Sequence, residues 1–207
     1  MGDTRLTTEE PPVQGRRERN KLRVRNRIYD AAVELFTRQG YDQTTVDEIT
    51  EAADVARGTF FNHFQRKEDL IAEWSEKRRV RLRHGLSTEA LAGSEGTRQS
   101  LLLCMSLLAQ ISLYDSAQTR ALLTAWVRAG FPLTEEPFVS RMFARFVEEG
   151  QKRGEVPATV DATLVGHVLR DVYLGTLYRW THPEADFGLE AELHAGCRTV
   201  LDGVLVP

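Results

Sequence analysis

Cysteines, long apolar runs and a basic excess are scarce in this chain of 207 residues, and each shortage excludes something. Two cysteines, Cys104 and Cys197, stand far apart and match no metal-ligand or disulfide spacing, so a reduced, cytoplasmic, metal-free protein without cofactors is expected. The longest apolar run, Leu101–Met105 continued by Leu107–Ala109, is broken by Ser106 and reaches about half of the roughly 18 residues that a membrane span needs. No basic-then-apolar leader opens the chain. Internal repeats, low-complexity tracts and convincing alternating strands are missing too. With 42% hydrophobic and 28% charged residues the chain is too apolar for disorder, and its length fits one large domain or two small ones.

The formal net charge of −3 argues against a polyanionic partner only until it is divided along the chain. Residues 16–38 carry eight basic groups (Arg16, Arg17, Arg19, Lys21, Arg23, Arg25, Arg27, Arg38) against three acidic ones, whereas residues 85–207 carry ten basic and fifteen acidic. A basic end on a mildly acidic body either engages a polyanion at that end alone or is a solvated helix face.

Helical periodicity dominates the chain. Residues 1–20, with Pro11, Pro12 and Gly15, read as a flexible basic arm. Val24, Ile28, Ala31, Ala32, Leu35 and Phe36 recur at helical spacing, and Gly40 sits where a left-handed residue ends a helix. Thr45 and Glu48 form a capping-box pattern that opens a short helix carrying Val46, Ile49 and Ala53. Asp54–Val55 is the turn, and a second short helix covers about Arg57–His63. From Lys67 a longer helix presents Leu70, Ile71, Trp74 and the stem of Arg78, after which Glu76–Arg83 reads as solvated. The boundary falls at Ser87–Gly96. Beyond it Leu101–Leu113 is apolar nearly all round, as a centrally buried helix is. Further helices are expected at Gln118–Ala129, Phe138–Arg153, Asp161–Trp180 and Leu189–Leu205. The expected organisation is an arm (1–20), a helix-turn-helix domain (21–75), a connecting helix and loop (76–97) and a helical domain (98–207). The fold class is all-α.

Two short helices joined by a tight turn are stable only if each buries one side. Val46, Ile49 and Ala53 do so on the first, Phe60 and Phe64 on the second, with Ala52, Ala53 and Gly58 permitting close approach. Outward on the second helix remain Arg57, Thr59, Asn62 and His63, a narrow donor-rich face suited to a major groove about 12 Å wide.

The stretch from about Arg27 to Trp74 resembles the DNA-binding domain of the tetracycline-repressor (TetR) family. The matching residues are Ala31-Ala32, Leu35-Phe36, Gly40-Tyr41, Thr44-Thr45-Val46, Ile49, Ala52-Ala53, Val55, Gly58-Thr59-Phe60, His63-Phe64 and Lys67-Glu68-Asp69-Leu70. Ala56 stands where the family usually has a hydroxyl cap. Phe61 replaces its usual tyrosine, so the phosphate hydrogen bond of that phenol is not carried over. The resemblance implies that Thr45, Thr59, His63 and Lys67 hold phosphates, while Arg57 and Asn62 reach base edges. A guanidinium suits guanine and a carboxamide adenine, whereas Thr, His and Lys hold a backbone without reading it. Structural alternatives stand beside these: His63 packing beside Phe64, Lys67 simply opening its helix, Arg57 touching a phosphate loosely.

The resemblance further implies a C-terminal domain that combines a ligand pocket with a dimer interface. Leu164, Val165, Val168 and Val172 on one helix, with Gly166 and Gly175 as close-approach points, and Leu193, Cys197, Val200 and Val204 on the last are the expected homodimer seam. Candidate pocket residues are Ser106 and Gln110 with Trp126, Met142, Phe143, Phe146 and Tyr173, fitting an apolar effector held by a few polar groups; ordinary core is the alternative for each. His167 reads as a core or interface histidine. The function expected is a regulator that binds double-stranded operator DNA as a homodimer and is released by a small-molecule effector. A DNA-binding regulator or nucleoid-type protein governed by a protein partner is the alternative. No nucleophile elbow, phosphate loop or metal cluster supports an enzyme.

Overall fold

The computed structural model describes residues 15–86, 96–134 and 137–203, and all regular structure among them is helical. The order is α1 (Arg16–Gln39), α2 (Val46–Ala52), α3 (Arg57–Phe61), α4 (Glu68–Gly85), α5 (Thr97–Tyr114), α6 (Ser116–Arg128), α7 (Phe131–Thr134), α8 (Phe138–Lys152), α9 (Ala162–Trp180) and α10 (Leu189–Asp202).

The head is α1 to α3 with the start of α4. α1 buries Ile28, Ala32, Leu35 and Phe36 along one side against Ile49, Phe60, Phe64 and Leu70. Contrary to the expected arm, α1 already begins at Arg16, so Arg16, Arg17 and Arg19 are helical. Nothing breaks the helix after Gly15, and Arg, Lys and Glu are good helix formers. Gly40 ends α1 with φ 89° but ψ 154°, the extended glycine-only region rather than the left-handed helical one expected. Thr45 and Glu48 form the complete capping box. Asp54 takes the turn at φ 48°, a conformation that Asp tolerates better than most residues.

The body wraps α5, which buries Leu101, Cys104, Met105 and Leu108 and packs on α10, α8, α4 and α6. Gln110, Leu113 and Tyr114 on α5 are exposed, so the helix is not covered all round. Head and body share one continuous apolar core, joined by α4 and by an Arg128–Asp42 ion pair of 2.6 Å. The charged part of α4 is solvated only in part: Val80, Arg81 and Arg83 are exposed as expected, but Leu82 is buried and Glu76–Arg79 are half-buried, because here the helix runs along the body. No single helix among the described residues is long and apolar enough to cross a membrane.

Candidate DNA interface and ligand cavity

α3 is one short turn and a half, and it ends at Phe61 rather than His63. Its N-cap, Ala56, makes no side-chain bond, and beyond Asn62 the chain closes with His63 N–H donating to the Phe60 carbonyl at 2.9 Å. The structure places Thr45, Arg57 and Asn62 exposed and Thr59, His63 and Lys67 half-buried. Arg57 pairs with Asp47 of α2 and lies 5.7 Å from the ring centre of Phe61, which is itself 45% exposed. The base-reading candidate is thus tethered in the open and available.

His63 and Lys67 are more committed. Burial, then Arg25 and Lys21 nearby, hold His63 below the usual histidine range, so at neutral pH it offers a neutral N–H and no charge; its Nδ1 is buried without a hydrogen-bond partner. Lys67 Nζ donates to the carbonyls of Tyr41 (2.8 Å) and Thr44 (2.9 Å) and sits 4.1 Å from the Tyr41 ring centre. It fastens the start of α4 to the α1–α2 loop. Sequence reasoning missed Arg25, whose Nη1 donates to the His63 carbonyl at 2.6 Å while Nη2 pairs with Glu73 of α4 and the guanidinium lies 4.2 Å from the Phe64 ring centre.

In the body a cavity of about 110 Å³ lies between α4, α5, α6, α8 and α9, lined by Trp74, Leu108, Leu123, Trp126, Phe138 and Leu174 among others. Of the candidate pocket residues it gathers Trp126 and Tyr173. Met142 and Phe146 instead line a second pocket, of about 950 Å³ along α8, together with Arg83, Arg141, Arg145 and His167. Phe143 is fully buried in the core, Gln110 is exposed, and Ser106 bonds His194 of α10 at 2.8 Å. These three do not line the cavity. Arg78 does, and only its place one turn after Trp74 on the apolar side of α4 signalled it.

Along α9, Leu164 (60% exposed), Val168 (40%) and Tyr178 (55%) form an outward apolar stripe, with Val172 and Val200 half-buried. The seam expected from sequence needs correction: Val165, Leu193 and Cys197 are buried in the chain's own core, where α9 and α10 pack on α8 and α5. Gly166 likewise approaches Ser140 and Ala144 of α8 too closely for any side chain, so its close approach is internal. Val204 lies outside the described residues. Both thiols are pushed up by burial, Cys197 to about 11, as inert core groups are.

Residues 28–74 match the family model described as bacterial regulatory proteins, tetR family. The DNA-binding end of the chain belongs to the TetR family. Against TcmR, a transcriptional regulator of Streptomyces glaucescens, identity is 44% over 68 residues, a third of this chain and 30% of that protein. Against the repressor KstR of Mycobacterium tuberculosis, identity is 26% over 84% of this chain and 76% of the relative. Among solved structures, FadR of Thermus thermophilus, a TetR-family repressor in complex with lauroyl-CoA, superposes with TM-score 0.65 at 26% identity, covering 88% of this chain and 96% of FadR. The helix-turn-helix of the DNA-binding end is α2–turn–α3.

Proposed function

We propose that the protein is a homodimeric repressor that clasps a pseudo-palindromic operator and is released from it by a small, mainly apolar ligand. The observation that carries this reading is α4. Its N-cap, Lys67, is clamped to the head, and its later turns, Trp74 to Leu82, form one wall of the cavity. A rigid helix that joins two sites lets occupancy of one bias the geometry of the other. That KstR and the Thermus FadR are named as repressors, the latter holding lauroyl-CoA, supports both halves of the reading. Thr45, Thr59 and the outer donors of His63 and Lys67 are the proposed phosphate holders, Arg57 and Asn62 the proposed base readers.

The dimer is assigned to the outward face of α9 and α10. Leu164, Val168 and Tyr178 project from the first, and Ala191, Ala195 and Thr199 are exposed on the second, small enough for helices of a partner to come close. Sedimentation and footprinting test the assembly together. The wild type is expected to sediment as a dimer at micromolar concentration and to protect two half-sites about 34–36 Å apart or a multiple of that. The Leu164→Asp, Val168→Asp double variant, which puts two charges into the apolar face, is expected to be monomeric and to lose the footprint. A monomeric wild type that protects one asymmetric half-site refutes the reading.

A further inference from the structure

Arg78 gives the cavity a character that an apolar ligand alone does not explain. Its Nη1 donates to Thr119 Oγ1 at 3.2 Å, and its Nη2 to Ser112 Oγ at 2.8 Å and Tyr173 Oη at 3.2 Å. Ser112 and Thr119 are wholly buried and Tyr173 nearly so. The Ser112 hydroxyl gives its own proton to the Leu108 carbonyl at 2.8 Å, which turns its oxygen toward the guanidinium as an acceptor. Behind Arg78 the Trp74 ring centre lies 4.9 Å away. Three of the five N–H donors of a guanidinium are thereby used, and the side chain is fixed from three helices.

Among the described residues none of these partners is a carboxylate. Hydroxyls and a ring face supply dipoles but no opposite charge, and a charge drawn into a protein wall is normally paired. Among the described residues the neighbouring wall does not supply one to Arg78, the carboxylate of Glu76 being paired with Arg79. Arg170, also on the cavity, donates to the Pro132 carbonyl at 2.7 Å, and its pairing with Asp171 is long, at 3.3 Å, with that carboxylate 70% exposed. Among the described residues that line the cavity there are Arg78, Arg79 and Arg170, and no Asp or Glu. Apart from Ser75 and the Tyr173 hydroxyl, the remaining surface is aliphatic and aromatic.

Resting on the ligand-gated reading above, we propose that the ligand is a compact amphiphilic organic anion, a carboxylate on an apolar body, with the carboxylate bound by Arg78. The space of about 110 Å³ is of the same order as the roughly 150 Å³ of an apolar cavity that holds benzene, so the body it matches in size is a single ring or a short chain. The ion pair forms on α4 itself, the helix clamped to the head.

The test compares benzoate with benzyl alcohol, and hexanoate with hexanol, on the full-length protein, read by Trp74 and Trp126 fluorescence, since both indoles line the cavity, and by thermal stabilisation. The acids are expected to bind roughly 10- to 100-fold more tightly than the matched alcohols, the span of a hydrogen bond to a charged group. Arg78→Met is expected to abolish that preference while leaving alcohol binding in place. Arg78→Lys, which restores a charge without the fork, is expected to recover part of it. The wild-type comparison stands whether or not either variant folds. If the alcohols bind as tightly as the acids, the anion proposal is overturned and ligand gating survives. If a folded Arg78→Met keeps the acid preference, Arg78 is not the receptor. If neither acids nor alcohols bind, the cavity is no site for small amphiphiles, and both readings fall.

Discussion

Lys67 and Arg57, both proposed DNA contacts, are held in opposite ways, and their substitutions should separate accordingly. Lys67 has two of its three N–H donors on the carbonyls of Tyr41 and Thr44, leaving one for a phosphate. Lys67→Ala is therefore expected to cost about 1–3 kcal/mol of stability through the lost charged hydrogen bonds and to weaken all operator sequences alike. Arg57 is exposed and pairs with an exposed Asp47, a kind of pair that is worth about 1 kcal/mol or less. Arg57→Ala should leave the melting temperature nearly unchanged and relax preference at particular base pairs by about 1–3 kcal/mol. Thermal denaturation beside binding to a panel of operator variants checks both. A uniform loss for Arg57→Ala identifies it as a phosphate holder, and an unchanged melting temperature for Lys67→Ala removes its clamping role. The difference between the two also marks what a sequence can reveal at this scale. Thr45 and Glu48 cap a helix across three residues, a spacing visible in the chain. The acceptors of Lys67 lie 23 and 26 residues away and those of Arg78 as far as 95, so only folding brings them together.

Elements were more legible than residues, because apolar spacing reports a buried side whatever it is buried against. α8, expected over Phe138–Arg153, is Phe138–Lys152. α9, expected from Asp161, has Asp161 as its N-cap, accepting from Leu164 N–H at 3.1 Å. Spacing says nothing about which side faces a partner chain, and so Leu193 and Cys197 of α10 read as seam when they are core. Helix ends fixed by distant groups were invisible as well. Gly96 gives α5 no side-chain cap, and the carboxylate of Glu155, beyond α8, serves instead by accepting from Thr97 N–H at 2.5 Å. Arg153 clamps that carboxylate at 2.6 Å and donates to Thr97 Oγ1 at 3.1 Å. The Arg153 and Thr97 contacts lower the Glu155 pKa from 4.5 to about 2. A depressed carboxylate stabilises the fold above its unfolded pKa, and that contribution is lost as pH falls through the folded one. Wild-type protein should lose it progressively between about pH 4.5 and 2. Glu155→Gln should be less stable than wild type at neutral pH, with the difference closing across that window. Denaturant melts at pH 7, 4 and 2.5 check this, and a constant difference between the two proteins rules out the cap as its source.

At the scale of the whole molecule the question is how an event at the cavity reaches α3 through a body and head that share one core. Glu73 stands at the crossing. It is on α4 beside Trp74 of the cavity wall, its side chain is 13% exposed, and it pairs with Arg25 of α1 and, at 3.5 Å, with Lys77. Arg25 in turn holds the His63 carbonyl at the end of the recognition turn. A shift of α4 that moves Glu73 thus pulls directly on the residue that fixes α3, whereas a shift that spares Glu73 has to travel through apolar packing. Glu73→Gln keeps an acceptor for Arg25 but removes the charge. It should lower operator affinity modestly, leave ligand binding to the free protein unchanged, and reduce the coupling between the two sites by about 0.5–2 kcal/mol from a typical 1–3 kcal/mol. Linkage requires the same reduction from either side: operator affinity with and without saturating benzoate, and benzoate affinity with and without operator, must change by one factor. If both measurements agree and the coupling equals that of the wild type, Glu73 is not the route. The signal then passes through the contact of α1 with α6 and the Arg128–Asp42 pair, a route that bypasses Glu73.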